Sequence, residues 1–231
     1  MSSDTKEAIL RASEKLFAKH GFKETSLRSI TAAAGVNLAA VNYHFGSKDA
    51  LIEALLADRL RPMNRDRLQR LDALRKAHPN GDIPVDQLIR AFVAPALDLS
   101  RDTEQGGAVF VRLLGRTYIE PSANIQNALR ELYDPVIQRF RPAFSAALPE
   151  LPEDELYWRL HFVVGLLAYL MSGSNMMRLI ASSHLSEAPD SEQLIERLIS
   201  FAGAGMRAPL GAAPAGAQRS KRWRDDYEFK Q

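Results

Sequence analysis

A chain of 231 residues is long enough to bury a large core and to divide into one or two domains, which excludes a miniature held together by disulfides. Its 46% hydrophobic and 25% charged residues sit near the globular average, so neither disorder throughout nor a collagen-like repeat fits. The absence of cysteine excludes disulfides, thiolate zinc sites and cysteine nucleophiles, and a formal net charge of +2 means that any nucleic-acid reading must come from placed residues.

The opening residues MSSDTKEAIL lack the basic start and apolar stretch of a secretory signal, so the cytoplasm is the expected compartment. From residue 4 to 20, Ile9, Ala12, Leu16 and Phe17 recur at helical spacing against a polar remainder, and Asp4 with Glu7 has the form of a capping box. Gly21 supplies a helix stop. A short helix follows over 27–34, capped by Thr25 or Ser26 and ended by Gly35. Asn37 can cap a third helix through Tyr43, and Ser47 a fourth from Lys48 to about Leu60. Beyond Pro62 the spacing predicts helices over 63–77, 84–100, 106–119, 122–147 with a kink at Pro135 or Pro142, 153–181 and 190–206. No segment alternates with period two. The expected fold is therefore all-α: a domain of residues 1–48, a larger helical domain of 49–208, and a flexible tail of 209–231 rich in Ala, Gly and Pro. The most apolar stretch, 162–171, is half the length of about 20 residues that a membrane span needs, so no membrane partner is expected.

Residues 26–48 place two short helices around a tight turn containing Gly35, the layout in which a second helix enters the DNA major groove while the first crosses the backbone. Ile30, Ala34, Val36 and Val41 can form the apolar hinge, leaving Asn37, Leu38, Ala39, Asn42 and Tyr43 exposed. Ala39 and Ala40 permit close approach to thymine methyls, and Asn42 carries the donor and acceptor that match an adenine edge. Arg28 can reach a guanine or a phosphate, while Tyr43, His44 and Lys48 suit the sugar-phosphate track. Taken alone, Asn37 reads as a cap and Lys48 as a solvated lysine; their joint placement carries the DNA reading.

The stretch GFKETSLRSITAAAGVNLAAVNYHFGSKDALIEAL resembles the N-terminal DNA-binding region of TetR-type transcriptional regulators through Thr25, Ser26, Ile30, Ala34, Gly35, Val36, Tyr43, His44, Phe45, Ser47, Lys48 and Leu51. The resemblance implies a helix-turn-helix head on a helical C-terminal domain that binds a small molecule, a homodimer, and double-stranded operator DNA as partner. It also implies a dimer interface made by the last two long helices. Their stripes Leu156, Leu160, Val163, Leu167 and Leu170, and Leu194, Leu198 and Phe201, suit that role, or else pack within one chain. Looser likenesses in NLAAVNYHFGSK, VFVRLLGR, YWRLHFVVG and FAGAGMRA resemble a subgroup that responds to long-chain fatty acids or their coenzyme A esters.

A hydrophobic effector of that kind would meet aromatic residues such as Phe110, Tyr133, Phe140 and Phe162, which equally suit a plain core. Arg112, inside the apolar run VFVRLLG, is the expected anchor for an acyl carboxylate, with His161 second; a salt bridge or a side chain reaching solvent is the alternative for Arg112. No GxSxG, GxxxxGK[ST] or HExxH motif occurs and the five histidines lack metal-ligand spacing, so no enzyme, cofactor or metal is expected. Two readings stay open: a ligand-released repressor, and a helical carrier of hydrophobic ligands whose helix-turn-helix is vestigial.

Overall fold

The computed structural model describes residues 2–102, 106–119, 123–172 and 191–210, and among these the chain is helical with no strand. The helices are α1 (Ser2–Glu24), α2 (Leu27–Ala34), α3 (Leu38–Phe45), α4 (Lys48–Ala77), α5 (Val85–Leu99), α6 (Gly107–Ile119), α7 (Ala123–Ala147), α8 (Glu153–Met171) and α9 (Ser191–Arg207). None is long and apolar enough to cross a membrane. The expected tail from residue 211 and the stretch 173–181 expected to extend α8 lie outside the described residues.

Local chemistry sets the first three boundaries. Gly21, at φ +82°, breaks the helical path of α1, which then resumes to Glu24 rather than ending at residue 20. Ser26 caps α2: its Oγ accepts from Ser29 N at 3.0 Å while Ser29 Oγ accepts from Ser26 N at 3.1 Å. Gly35 closes α2 in the left-handed conformation at φ +67°, with its N–H bonded to Thr31 O. Asn37 Oδ1 accepts from Ala40 N at 2.9 Å and starts α3, and Ser47 Oγ accepts from Ala50 N at 3.1 Å and starts α4.

Helix α4 differs most from expectation. It runs through Pro62 to Ala77, about 45 Å, where the sequence suggested a stop near Leu60. Proline removes one intrahelical bond, yet the buried stripe Leu51, Leu55, Leu56, Leu60, Met63, Asn64, Arg67 and Leu71 continues unbroken across it, and that packing outweighs the lost bond. Pro135 and Pro142 likewise fall inside α7, both on its exposed side.

Helix α4 joins the two parts of the molecule. Its first turns pack on α1 and α3, and the remainder on α5 and α7. Helix α1 also packs on α6, and buried Glu14 receives Arg59 Nε at 3.0 Å and Nη2 at 3.2 Å. Burial raises the Glu14 carboxyl above its ordinary range against the opposing pull of Arg59. Helices α6 and α8 cross closely at Gly115, where a Cβ would meet Ala168 O at 2.8 Å, so glycine is required for the approach.

Candidate nucleic-acid interface

Ile30 and Val41 are fully buried, and Ala34 and Val36 pack against the same core from the edges of α2 and α3. These contacts hold the two helices at a fixed crossing while the outer side of α3 remains free. Asn37, Leu38, Ala39, Asn42 and Tyr43 are all exposed, Tyr43 to 83%. Ala40 is half-buried against the hinge. The segment from Ser26 to Lys48 contains Arg28 and Lys48 but no carboxylate, so this surface opposes no phosphate.

The remaining residues of the expected surface divide into readers and supports. Arg28 is exposed on α2. His44 is half-buried, with its ring 5.1 Å edge-on from that of Tyr43, which restricts both. Lys48 Nζ donates to Lys23 O at 3.2 Å, placing its charge at the α1–α4 junction. Asn37 uses its side-chain oxygen in the cap, and Ser26 likewise caps α2. Thr25 is buried and its hydroxyl donates to Gly21 O at 2.8 Å, a closure of α1 rather than an open contact. Ser29, the reciprocal member of the α2 capping box, is a support that the sequence reading did not name; Ser at that position is a variant of the usual Glu or Gln.

The expected effector residues divide into two groups: Phe110, Tyr133 and Phe140 share one buried core, whereas Arg112, His161 and Phe162 are exposed. Tyr133 and Phe140 are buried on α7, Phe140 contacts Phe92 of α5, and buried Phe110 lies with its ring centroid 6.0 Å from Arg59. Arg112 is exposed: Phe110, Val111, Leu113 and Leu114 turn inward and the helical rotation carries residue 112 outward, so apolar sequence neighbours do not surround it. His161 and Phe162 are exposed on α8, away from that core. The most enclosed guanidinium among the described residues is instead Arg67 of α4, at 1% exposure. Its Nε donates to Phe92 O at 2.7 Å and its Nη1 to Asn64 Oδ1 at 3.0 Å. Cutting the α4 stripe at Pro62 concealed it; Leu60, Asn64, Arg67 and Leu71 share helical spacing.

The residues of the expected dimer stripes differ in how far the protomer itself covers them. Leu156, Val163, Leu167 and Leu198 are buried inside the protomer, and Leu160, Leu170 and Leu194 are half-buried. Of that set Phe201 alone is exposed, to 70%. An open apolar face lies on the adjacent stripe, Trp158, Phe162 and Tyr169 on α8 beside Phe201 on α9, while the Tyr157 hydroxyl accepts from Arg141 Nη1 at 2.6 Å on the α7 side. A groove of about 470 Å³ runs through it, lined by Phe162, Gly165, Leu166, Tyr169, Phe201 and Gly205 among others.

Comparison with known proteins agrees with this geometry. Residues 9–55 match the tetR family of bacterial regulatory proteins, and residues 90–205 match a tetracyclin repressor-like C-terminal domain. The chain is 31% identical over 140 residues to the HTH-type transcriptional repressor BepR of Brucella suis biovar 1 (strain 1330), covering 60% of this chain and 64% of that one. The fold is similar to that of a TetR family transcription regulator from Marinobacter aquaeolei VT8, with a TM-score of 0.57 at 16% identity over 88% of this chain and 95% of that one. It is equally similar, at TM-score 0.57 and 14% identity, to the fatty acid degradation regulator FadR from Bacillus halodurans, over 89% of this chain and 97% of that one. With its head and its C-terminal helices both matched, the chain belongs to the TetR family of bacterial regulatory proteins.

Proposed function

We propose that this protein is a DNA-binding transcriptional repressor that reads a pseudo-palindromic operator as a homodimer and leaves it when a hydrophobic effector of the long-chain fatty acid or acyl-coenzyme A class binds. The observation that carries the reading is the outer side of α3, where Asn42 and Tyr43 stand exposed on a helix fixed by Ile30 and Val41. Asn42 discriminates bases, whereas Tyr43, Arg28 and Lys48 hold the backbone. The open aromatic face of α8 and α9 is the surface on which a second copy docks, because contiguous apolar area of this kind is costly in water.

Release requires that the effector prefer a protomer shape in which the two heads no longer match their half-sites. Helix α4 is the connection, since it carries both the head contacts Leu51 and Leu55 and the core residues Asn64 and Arg67. The test is a gel shift on duplexes enriched from a random pool, with and without hexadecanoic acid and hexadecanoyl-coenzyme A. Retarded DNA that is freed by either compound supports the reading. A folded dimer that enriches no duplex refutes it in favour of a hydrophobic-ligand carrier.

A further inference from the structure

Among the described residues that line the α8–α9 groove, His161 alone carries a side chain of the kind that changes charge near neutral pH. It stands exposed on α8, its ring edge-on to that of Trp158 at 5.9 Å and tilted to that of Phe162 at 6.2 Å. Phe201 faces the same groove from α9. The exposed parts of Trp158, Phe162, Tyr169 and Phe201 together present about 400 Å², taking about 200 Å² for each aromatic side chain. That is about half of the roughly 800 Å² that each partner gives to a stable interface. A second copy seated here therefore takes the ring of His161 into the apolar middle of the contact.

No carboxylate lines this groove among the described residues. Arg159, its other charged lining residue, is buried, paired with Glu155 at 2.9 Å and bonded to the carbonyls of Gly205, Met206 and Ala208 at the end of α9. On α8 itself Glu153 and Asp154 lie two turns before His161, about 10–12 Å along the axis, and Glu153 accepts from the Tyr157 hydroxyl at 3.0 Å. Of the elements packed on α8, α7 directs Arg141 to that same hydroxyl. Helix α6 carries exposed Arg112 and no carboxylate. Helix α9 carries exposed Arg197 one turn before Phe201, while its Glu192 and Glu196 turn to Arg90 of α5. The protomer thus offers His161 no nearby anion and several cations.

An imidazole gains a proton between about pH 8 and pH 5. The neutral ring is tolerated among aromatic side chains, but an imidazolium enclosed there without a counter-ion is costly, and ring contacts offset only part of that cost. We infer that His161 makes self-association proton-sensitive: the twofold face accepts its neutral ring, and protonation on acidification drives the two copies apart and off a two-half-site operator. This rests on the dimer reading above and adds a control to it. The sign follows from linkage, because the dimer excludes a proton that the separate protomer binds, so association weakens as pH falls. Twofold symmetry counts the residue twice, so each tenfold drop in the neutral fraction of the imidazole weakens the dimer about a hundredfold.

The test is sedimentation equilibrium of the full-length protein at constant ionic strength in steps from about pH 8 to about pH 5.5, with circular dichroism confirming that the protomer stays folded. The wild-type dissociation constant should rise at least about tenfold over that range. His161→Gln, which keeps a polar side chain but does not titrate, should lose most of this dependence, and His161→Phe should remain dimeric at the acid end. The site is exposed in the protomer, so neither change disturbs its core. A wild-type dimer that is indifferent to pH or tightens on acidification, or a dependence that survives in both variants, would overturn the switch while leaving the dimer face in place. A wild type that is monomeric at every pH would overturn the switch together with the dimer reading on which it rests.

Discussion

Replacing Phe201 by alanine should break the dimer while leaving the protomer folded. A phenylalanine side chain presents about 200 Å², so covering the exposed 70% of Phe201 removes roughly 140 Å² from water, about 3.5 kcal/mol at 25 cal/mol/Å². Alanine retains a small part, and immobilising the ring costs about 1 kcal/mol, which leaves a net contribution of about 2 kcal/mol per copy. A twofold interface uses each residue twice, so the dimer should weaken by about 4 kcal/mol, roughly a thousandfold. Sedimentation equilibrium across a wide concentration range reads this directly, with thermal unfolding as the folding control. Leu198→Ala is the contrasting variant: at 5% exposure it packs within the chain, so it should cost about 2–5 kcal/mol of protomer stability without specifically dissociating the dimer. Unchanged self-association in Phe201→Ala, or a monomeric wild type, would refute the assignment of this face.

Asn37→Ala should lower stability by about 1 kcal/mol through loss of the α3 cap and leave base preference unaltered, whereas Asn42→Ala should change preference at one position by about 1–3 kcal/mol; affinity measured over a panel of point-substituted duplexes separates the two. Gly35→Ala should destabilise by about 1 kcal/mol from backbone strain alone, because nothing lies within 4 Å of the added Cβ; a neutral result in chemical denaturation would contradict the left-handed closure of α2. At the α1–α4 junction, Glu14→Ala should cost about 3 kcal/mol by removing the carboxylate that neutralises Arg59 in a largely buried position. Because the folded Glu14 carboxyl is raised, it binds its proton more tightly than the unfolded one. Its contribution to stability therefore declines as pH rises from the ordinary glutamate range through the raised value, and Glu14→Gln should flatten that limb of the stability profile.

The head was legible because each of its boundaries has a local cause. Ser26, Gly35, Asn37 and Ser47 act within three or four residues of themselves, so the sequence reading and the structure agree closely on α2 and α3. What sequence reading missed depended on long-range packing. Pro62 is a sound stop signal in isolation, but the buried stripe on either side of it holds α4 together. Helix α8 is apolar on more than one side, so periodicity alone does not distinguish the stripe containing Leu156, Val163 and Leu167, which packs on its own chain, from the stripe containing Trp158, Phe162 and Tyr169, which faces outward. Arg112 shows the same difficulty on a smaller scale, since four inward neighbours say nothing about the one position that the helical turn directs to solvent. The candidate reading surface needed only the head; which side chains of α6, α8 and α9 turn inward and which turn outward needed the tertiary fold.

The account turns on α3 acting as one of two symmetry-related readers of duplex DNA. Selection of binding sites from random duplexes by the full-length protein tests that most directly. It should enrich an inverted repeat whose half-site centres lie about one helical turn, roughly 34 Å, or somewhat more apart, with enrichment lost in Tyr43→Ala. A single unrepeated half-site, or no enriched sequence at all, would contradict it.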